Sequence, residues 1–297
     1  MSRELMTVVI STYKREPETV LRAAKSVLGQ TYREIELFVV NDYPEDVTLS
    51  YRLKKALESL NDGRVHYICH EKNKGACAAR NTGILAGTGE FVGCLDDDDE
   101  WMPNKVETMI AAFLPETGLV YSSFYLGKPE DGGKIVTRGN KSGMIWRDML
   151  CKNLISGTSM PIFRRDCIET CGLFDEKILS SQDYDMWMRI TLKYPVIYID
   201  ESLTIRHFSK ESITTNTNKR KQGWDYFTEK YRSFYEKDKY LYNYRLNAIV
   251  NASFMIGEFQ YGWEKYKKAV AIRPFSVQNI LCPIKGIIKH FVYKGYQ

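Results

Sequence analysis

Along the first hundred residues, short uninterrupted apolar runs alternate with stretches in which apolar residues recur every three or four positions. Residues 7–11, 35–40 and 91–95 are largely apolar on both faces, and 64–70 alternate. Four strands are predicted. Between the first two, Val20, Leu21, Ala24, Val27 and Leu28 keep helical spacing, with Pro17 to open the helix and Gly29 to close it. Residues 51–60 repeat that period, and 75–86 form a run of small residues. Apolar strands separated by helices of this length predict a parallel sheet covered on both faces.

Beyond Lys105 the pattern becomes mixed. A helix is expected over 103–114, a strand over 119–125, and a hairpin around Asp131, Gly132 and Gly133. A strand near 158–163, a helix over about 182–193 and a closing strand segment over 195–207 follow. After about Lys219 the chain reads as helical and rich in Tyr and Trp. Residues 257–274 superficially look like one tetratricopeptide-type helix pair, but a single unit does not establish a repeat.

At 297 residues there is room for one large core, or for one domain and an extension. With 44% hydrophobic and 27% charged residues the chain reads as ordinary and globular. Glu4 interrupts the N-terminus, so no secretory leader is expected. No uncharged run approaches the roughly 18 residues of a membrane span. Seven irregularly spaced cysteines suit a reduced, cytoplasmic setting better than a disulfide framework.

The net charge of +5 hides an asymmetry. From Arg206 onward 17 Lys and Arg stand against 7 Asp and Glu, which leaves −5 for residues 1–205. Two readings stay open for the basic part: peripheral contact with an anionic membrane, or a solvated helical face. No nucleic-acid partner is expected. The tail aromatics also permit pairing of two copies into a homodimer.

The densest chemistry lies in residues 89–105, where an apolar strand runs into Asp96, Asp97, Asp98 and Asp99 and then Trp101, Met102 and Pro103. Four adjacent carboxylates repel one another, and neither strand nor helix chemistry asks for them. Hard divalent ions such as Mn²⁺ and Mg²⁺ do. At the carboxyl end of a strand in an α/β sheet, ligands usually bind, so a metal-assisted reaction on a nucleotide diphosphate is expected. His66, Cys69 and His70 do not add a zinc site, because on an alternating strand Cys69 faces away from the two histidines.

Five segments in order carry a specific likeness: Val9 to Arg15; Val39 to Asp42; Asn73, Lys74 and Gly75 through Ala79 to Ile84; the aspartate run; and Gly172 to Glu176 with Gln182 to Arg189. Together they resemble the family 2 glycosyltransferases of the GT-A fold, over roughly residues 5–210. The resemblance implies a GT-A domain over 1–215, with a nucleotide-binding part (1–102) and an acceptor-binding part (103–215). Residues 216–297 would form a basic helical extension.

By the same resemblance, Ser11, Thr12, Tyr13, Arg15, Asp42, Lys74, Gly75, Arg80, Asp96 and Asp97 would bind the nucleotide. Tyr13 would stack on the base and Asp42 would accept its N–H. Asp98 would hold Mn²⁺ or Mg²⁺, with His207 as a further ligand or a diphosphate contact, and Ser209 and Ser212 belong to the closing segment. Asp183 is the candidate general base, Asp185 its alternative, and Asp99 a helix cap. The implied reaction is inverting transfer of a sugar from a UDP-sugar to the hydroxyl of a glycan or lipid-linked acceptor. The alternative from another class is a non-catalytic scaffold that binds UDP-sugar or glycan. A nucleotidyltransferase would need a Gly-rich phosphate loop, and residues 11–15 contain no glycine.

Departures from the family's commonest pattern are Asn41 before Asp42, Tyr43-Pro44 after it, and Gln182 before Asp183.

Overall fold

The computed structural model describes residues 4–207 and 217–294. The chain divides into two compact units. One comprises Met1–Ile145, Leu154–Lys177 and Gln182–Lys210, and the other Trp146–Asn153, Ile178–Ser181 and Glu211–Gln297.

The first unit opens with β1 (Met6–Thr12), α1 (Pro17–Leu28), β2 (Ile35–Asn41), α2 (Val47–Glu58), β3 (Val65–Cys69), α3 (Ala76–Ala86) and β4 (Phe91–Asp96). Pro17 and Gly29 bound α1 as the sequence predicts, and α1 buries Val20, Ala23, Ala24 and Val27. Helix α2 begins four residues ahead of its apolar repeat, because the Asp46 carboxylate caps it by accepting from Leu49 N. The four strands are parallel in the order β3-β2-β1-β4. The small residues of α3 let it lie close on the sheet: a Cβ at Gly83 would stand 2.4 Å from Val9 Cγ1.

The unit continues with β5 (Glu100–Trp101), α4 (Lys105–Ala111), β6 (Leu119–Leu126), β7 (Lys134–Val136), β8 (Ile162–Arg164), α6 (Asp166–Cys171), α7 (Gln182–Thr191) and β9 (Val196–Arg206). These strands complete a mixed nine-stranded sheet, β3-β2-β1-β4-β8-β6-β9-β5, with β7 on β6. Strand β8 runs antiparallel to β4, and β6 and β7 form the predicted hairpin.

Two elements differ from the sequence pattern. Helix α4 starts at Lys105, since Met102 to Lys105 first close a turn through Lys105 N and Met102 O. Thr158 and Ser159 stand outside β8, because their hydroxyls bond the acid run.

In the second unit, α5 (Trp146–Cys151) packs on α10 (Lys239–Met255), and α10 also contacts α9 (Arg232–Lys237), α11 (Phe259–Ile272) and α12 (Val277–Lys294). Helix α8 (Thr217–Lys230) precedes them, so the basic tail is helical as expected. Residues 257–274 hold one helix, α11, after a left-handed turn at Gly257. No helix among the described residues is long and apolar enough to cross a membrane.

Candidate active site at the carboxyl ends of the parallel strands

Because β1, β2, β3 and β4 are parallel, their carboxyl ends share one edge. Ser11 pairs in register with Asp96, Thr12 with Asn41, and Asn41 with Cys69. The residues just past these positions are the ones singled out from the sequence.

At the β2 end, Asp42 is 3% exposed. Its Oδ1 accepts from Lys74 N at 2.8 Å and meets His70 Nδ1 at 2.7 Å, and its Oδ2 accepts from Gly75 N at 2.7 Å. The far side of the His70 ring meets Thr82 Oγ1 at 2.9 Å. Gly75 holds φ 91°, where a side chain would be strained, and it caps α3. Asn41 Nδ2 donates to Ser50 Oγ and to the Tyr67 hydroxyl, while Asn41 Oδ1 accepts from Tyr43 N.

Beyond this buried bracket lies an aromatic pair, Tyr13 exposed and Tyr43 half-buried. Tyr13 is 45% exposed and meets Tyr43 edge-on at 5.1 Å. Lys14, at a left-handed φ of 54°, sets its ammonium 5.2 Å from one ring and 5.0 Å from the other.

Of the four aspartates at the β4 end, Asp97 and Asp98 share Arg15, while Asp96 and Asp99 have other partners. Asp96 Oδ1 accepts from Arg80 Nη2 at 3.0 Å and from Thr158 Oγ1 at 2.7 Å. Burial opposes its charge, yet the Arg80 guanidinium and the Thr158 hydroxyl hold its pKa below the usual carboxylate value. Asp97 accepts from Thr12 Oγ1 at 2.7 Å and from Arg15 Nε at 3.0 Å. Burial nevertheless pushes it up to about 6. Asp98 accepts from Arg15 Nη2 at 3.1 Å, and burial and the neighbouring Asp96 raise its pKa.

Asp99 is buried and accepts from Ser159 Oγ at 2.7 Å. Burial, with the charge of Asp96, pushes it up to about 8. The same Ser159 hydroxyl accepts from Asp96 N at 3.0 Å, and Ser159 O accepts from Trp101 Nε1 at 2.9 Å. Lys105, fully buried, donates from Nζ to Met160 O at 2.7 Å and to Thr204 Oγ1 at 3.2 Å, and burial drives it down to about 7.

Ser159→Ala is expected to leave the Asp96 N–H and the Asp99 carboxyl without this partner. The cost is about 1–3 kcal/mol, read as a lower denaturant midpoint with an unchanged slope.

Toward α7, Arg80 Nη1 donates to Gln182 Oε1 at 3.3 Å, and its guanidinium lies over the Phe174 ring. Asp183, in the first turn of α7, is half-buried. Burial pushes it up to about 6, against the Tyr184 N–H and the Arg80 charge, which pull it down. Asp185 is 1% exposed and paired with Arg189 Nε at 2.9 Å. Arg189 also donates to the carbonyls of Cys171, Gly172 and Leu173, so Asp185 fastens α7 to the loop after α6.

Arg206, at the end of β9, draws down the carboxyls of Asp96, Asp98, Asp99 and Asp183 electrostatically. His207 Nε2 meets Glu100 Oε1 at 2.7 Å. Ser209 and Ser212 lie outside the described residues.

Among the described residues no three His, Cys, Asp or Glu side chains stand grouped to hold an ion by themselves. The donor set nonetheless fits Mg²⁺ or Mn²⁺. Asp98 offers oxygen, keeps 22% side-chain exposure, and stands beside Asp96, whose charge adds to burial in raising its pKa. Such ions commonly take one or two protein carboxylates and complete their shell with water and ligand phosphate.

Sequence reasoning missed Thr158, Ser159, His70 and Tyr43. The signal for His70 was its place one residue past a strand end, beside the two glycine-flanking amides that Asp42 collects.

Residues 7–180 match the family model described as Glycosyl transferase family 2. WcaA of Escherichia coli K12, a glycosyl transferase named for colanic acid biosynthesis, is 29% identical over 78% of this chain and 83% of its own length. WfgD of Escherichia coli, named a UDP-Glc:alpha-D-GlcNAc-diphosphoundecaprenol beta-1,3-glucosyltransferase, is 29% identical over 86% of this chain and 97% of its own.

Among solved structures, S. aureus TarS 1-349 in complex with UDP-GlcNAc aligns over 99% of this chain and 92% of its own, at TM-score 0.67 and 17% identity. The mannosyltransferase PcManGT from Pyrobaculum calidifontis, in complex with GDP-Man and Mn²⁺, aligns over 99% and 89%, at 0.62 and 18%. The fold is therefore GT-A with a C-terminal helical region. With more than half of its length matched by that family model, the chain belongs to glycosyltransferase family 2.

Proposed function

We propose that the chain moves a sugar from a UDP-sugar to an acceptor hydroxyl with inversion at the anomeric carbon. The observation that carries this reading is the Arg80 guanidinium, which bonds both Asp96 of the acid run and Gln182, the residue before Asp183. One cation thus ties a donor-side carboxylate to the start of the helix that carries the candidate base.

In this reading Tyr13 and Tyr43 flank the base, and Asp42 Oδ2, which takes one N–H from Gly75, has acceptor capacity for a base N–H. Ser11 and Thr12 line the strand end. Lys74, Arg15 and Arg80 bring positive charge to the diphosphate, with Asp97 steering Arg15. Asp98 would hold Mn²⁺ or Mg²⁺, and His207 would join only once its Nε2 leaves Glu100. A bound divalent ion supplies Lewis-acid stabilisation of the departing diphosphate. Asp183 takes the proton of the acceptor hydroxyl as that oxygen bonds to the anomeric carbon and the carbon–oxygen bond to UDP breaks.

The acceptor we assign is a lipid-linked glycan of surface polysaccharide synthesis, met at the cytoplasmic face of a membrane. Support comes from WfgD, whose name specifies a diphosphoundecaprenol acceptor, and from WcaA. We further propose that the GT-A domain spans 1–215 and the extension 216–297.

A thermal-shift panel tests the donor. UDP with Mn²⁺ should raise the midpoint more than UDP alone or GDP with Mn²⁺; a ligand at 100 times its Kd adds about 2.7 kcal/mol. Equal shifts for all nucleotides, with and without metal, would overturn the assignment.

A further inference from the structure

Helix α12 is built inside out. The positions it turns toward the rest of its unit are Asn279, Pro283, Gly286 and His290, all buried. The positions it turns outward are apolar: Val277 is 65% exposed, Ile280 64%, Ile284 50%, Ile288 57%, Phe291 67% and Val292 52%. At 3.6 residues per turn these six fall within roughly a third of the helix circumference.

The inward contacts fix the helix in rotation. Asn279 Oδ1 accepts from Asn243 Nδ2 at 2.9 Å and from Asn247 Nδ2 at 2.7 Å, and Asn279 Nδ2 donates to Arg273 O. His290 Nδ1 lies 3.2 Å from Met255 O. A Cβ at Gly286 would stand 2.8 Å from Phe254 Cβ and 2.9 Å from Asn251 O, so α10 and α12 touch backbone to backbone there. Rolling the apolar stripe inward would break these bonds and drive isoleucines into that contact. A contiguous exposed stripe of this kind marks an interaction surface.

Charge selects the occupant. Residues 275–297 contain Lys285, Lys289 and Lys294 and no Asp or Glu. Lys285 and Lys289 are exposed on the helix that carries the stripe. A second copy of the chain would bring the same lysines against these, whereas an anionic lipid surface brings phosphates. The helix has 18 residues, about 27 Å of length, and it is not long and apolar enough to cross a membrane.

We infer that α12 lies in the plane of an anionic bilayer, its apolar stripe immersed among the upper acyl chains and its lysines at the headgroups. The inference rests on the proposed function for its purpose, since a lipid-linked acceptor stands at such a surface. Binding to vesicles, however, requires neither donor nor acceptor.

The test is co-sedimentation of the full chain with phosphatidylcholine vesicles, with and without phosphatidylglycerol. Wild type should sediment with the anionic vesicles. Ile284→Glu combined with Ile288→Glu should lower that partition about tenfold or more, and Lys285→Glu with Lys289→Glu should abolish the preference for anionic lipid. All four positions are exposed, so both variants should keep wild-type circular dichroism and UDP affinity.

An unchanged partition in the isoleucine double variant overturns the inference. So does a wild-type dimer, seen by light scattering, that ignores vesicles and dissociates in that variant. Vesicle binding without any UDP-sugar turnover would instead overturn the glycosyl-transfer reading and leave the helix assignment standing.

Discussion

Asp183→Asn is expected to lower kcat by about 10²–10⁴ while UDP binding persists. The substitution keeps the shape of the side chain while removing its charge and its capacity to take a proton. Burial raises the Asp183 carboxyl to about 6, which places it nearer the working pH than an ordinary aspartate and makes it a stronger base. The base must be ionised, so kcat/KM of the wild type should climb with pH through about 6 and level off above it. The Asn variant should lack that limb.

Asp185→Asn should behave otherwise. Asp185 is buried and paired with Arg189, and breaking such a pair by removing one partner costs about 3–5 kcal/mol of stability. A lower denaturation midpoint, with no acid limb lost, is the expected signature. Retention of most of kcat in Asp183→Asn would sink its role as base. Absence of UDP release from the wild type, with UDP-sugar bound, would favour the scaffold.

Asp98→Ala should remove the dependence of UDP affinity on Mn²⁺ and lower kcat/KM by about 10²–10³, the size expected for several kcal/mol of lost charge stabilisation. The companion measurement separates metal loss from general damage. Without metal, the variant should bind UDP at least as well as wild type, because the acid run has one negative charge fewer facing the diphosphate. Arg15 keeps its bond to Asp97, so the β1 end should stay in place. Undiminished Mn²⁺ stimulation in the variant would assign the ion to other residues.

The parallel half of the sheet was legible because β1, β2 and β4 are buried on both faces and largely apolar, while β3, at the sheet edge, showed itself by alternation. Tyr13, Asp42 and Asp96 stood out because strand ends can carry residues that packing does not demand, whereas Arg80, inside α3, stood out only through the family resemblance. What the sequence hid follows from distance along the chain. Ser159 lies 63 residues from the amide it accepts and 60 from the carboxyl it meets, and no local period reports such a pairing. Thr158 and Ser159 precede an apolar run and so read as its beginning; their hydroxyls find better partners in the acids than a strand ladder would offer. His70 was weighed as a metal ligand, because a histidine one residue past a strand carries no mark of the aspartate it will meet 28 residues away.

The span between Asp96 and Ser159 also sets an order of events during folding. A ribosome-bound chain that has emerged only as far as β7 has the first four strands with Tyr13 and Asp42 at their ends, but Thr158 and Ser159 have not yet arrived. Until they do, the Asp96 amide and the Asp99 carboxyl have only water, and closing so long a loop is slow relative to local structure. Nucleotide competence should therefore mature late, and fragments ending before residue 158 should be poor traps for UDP even where their sheet is formed.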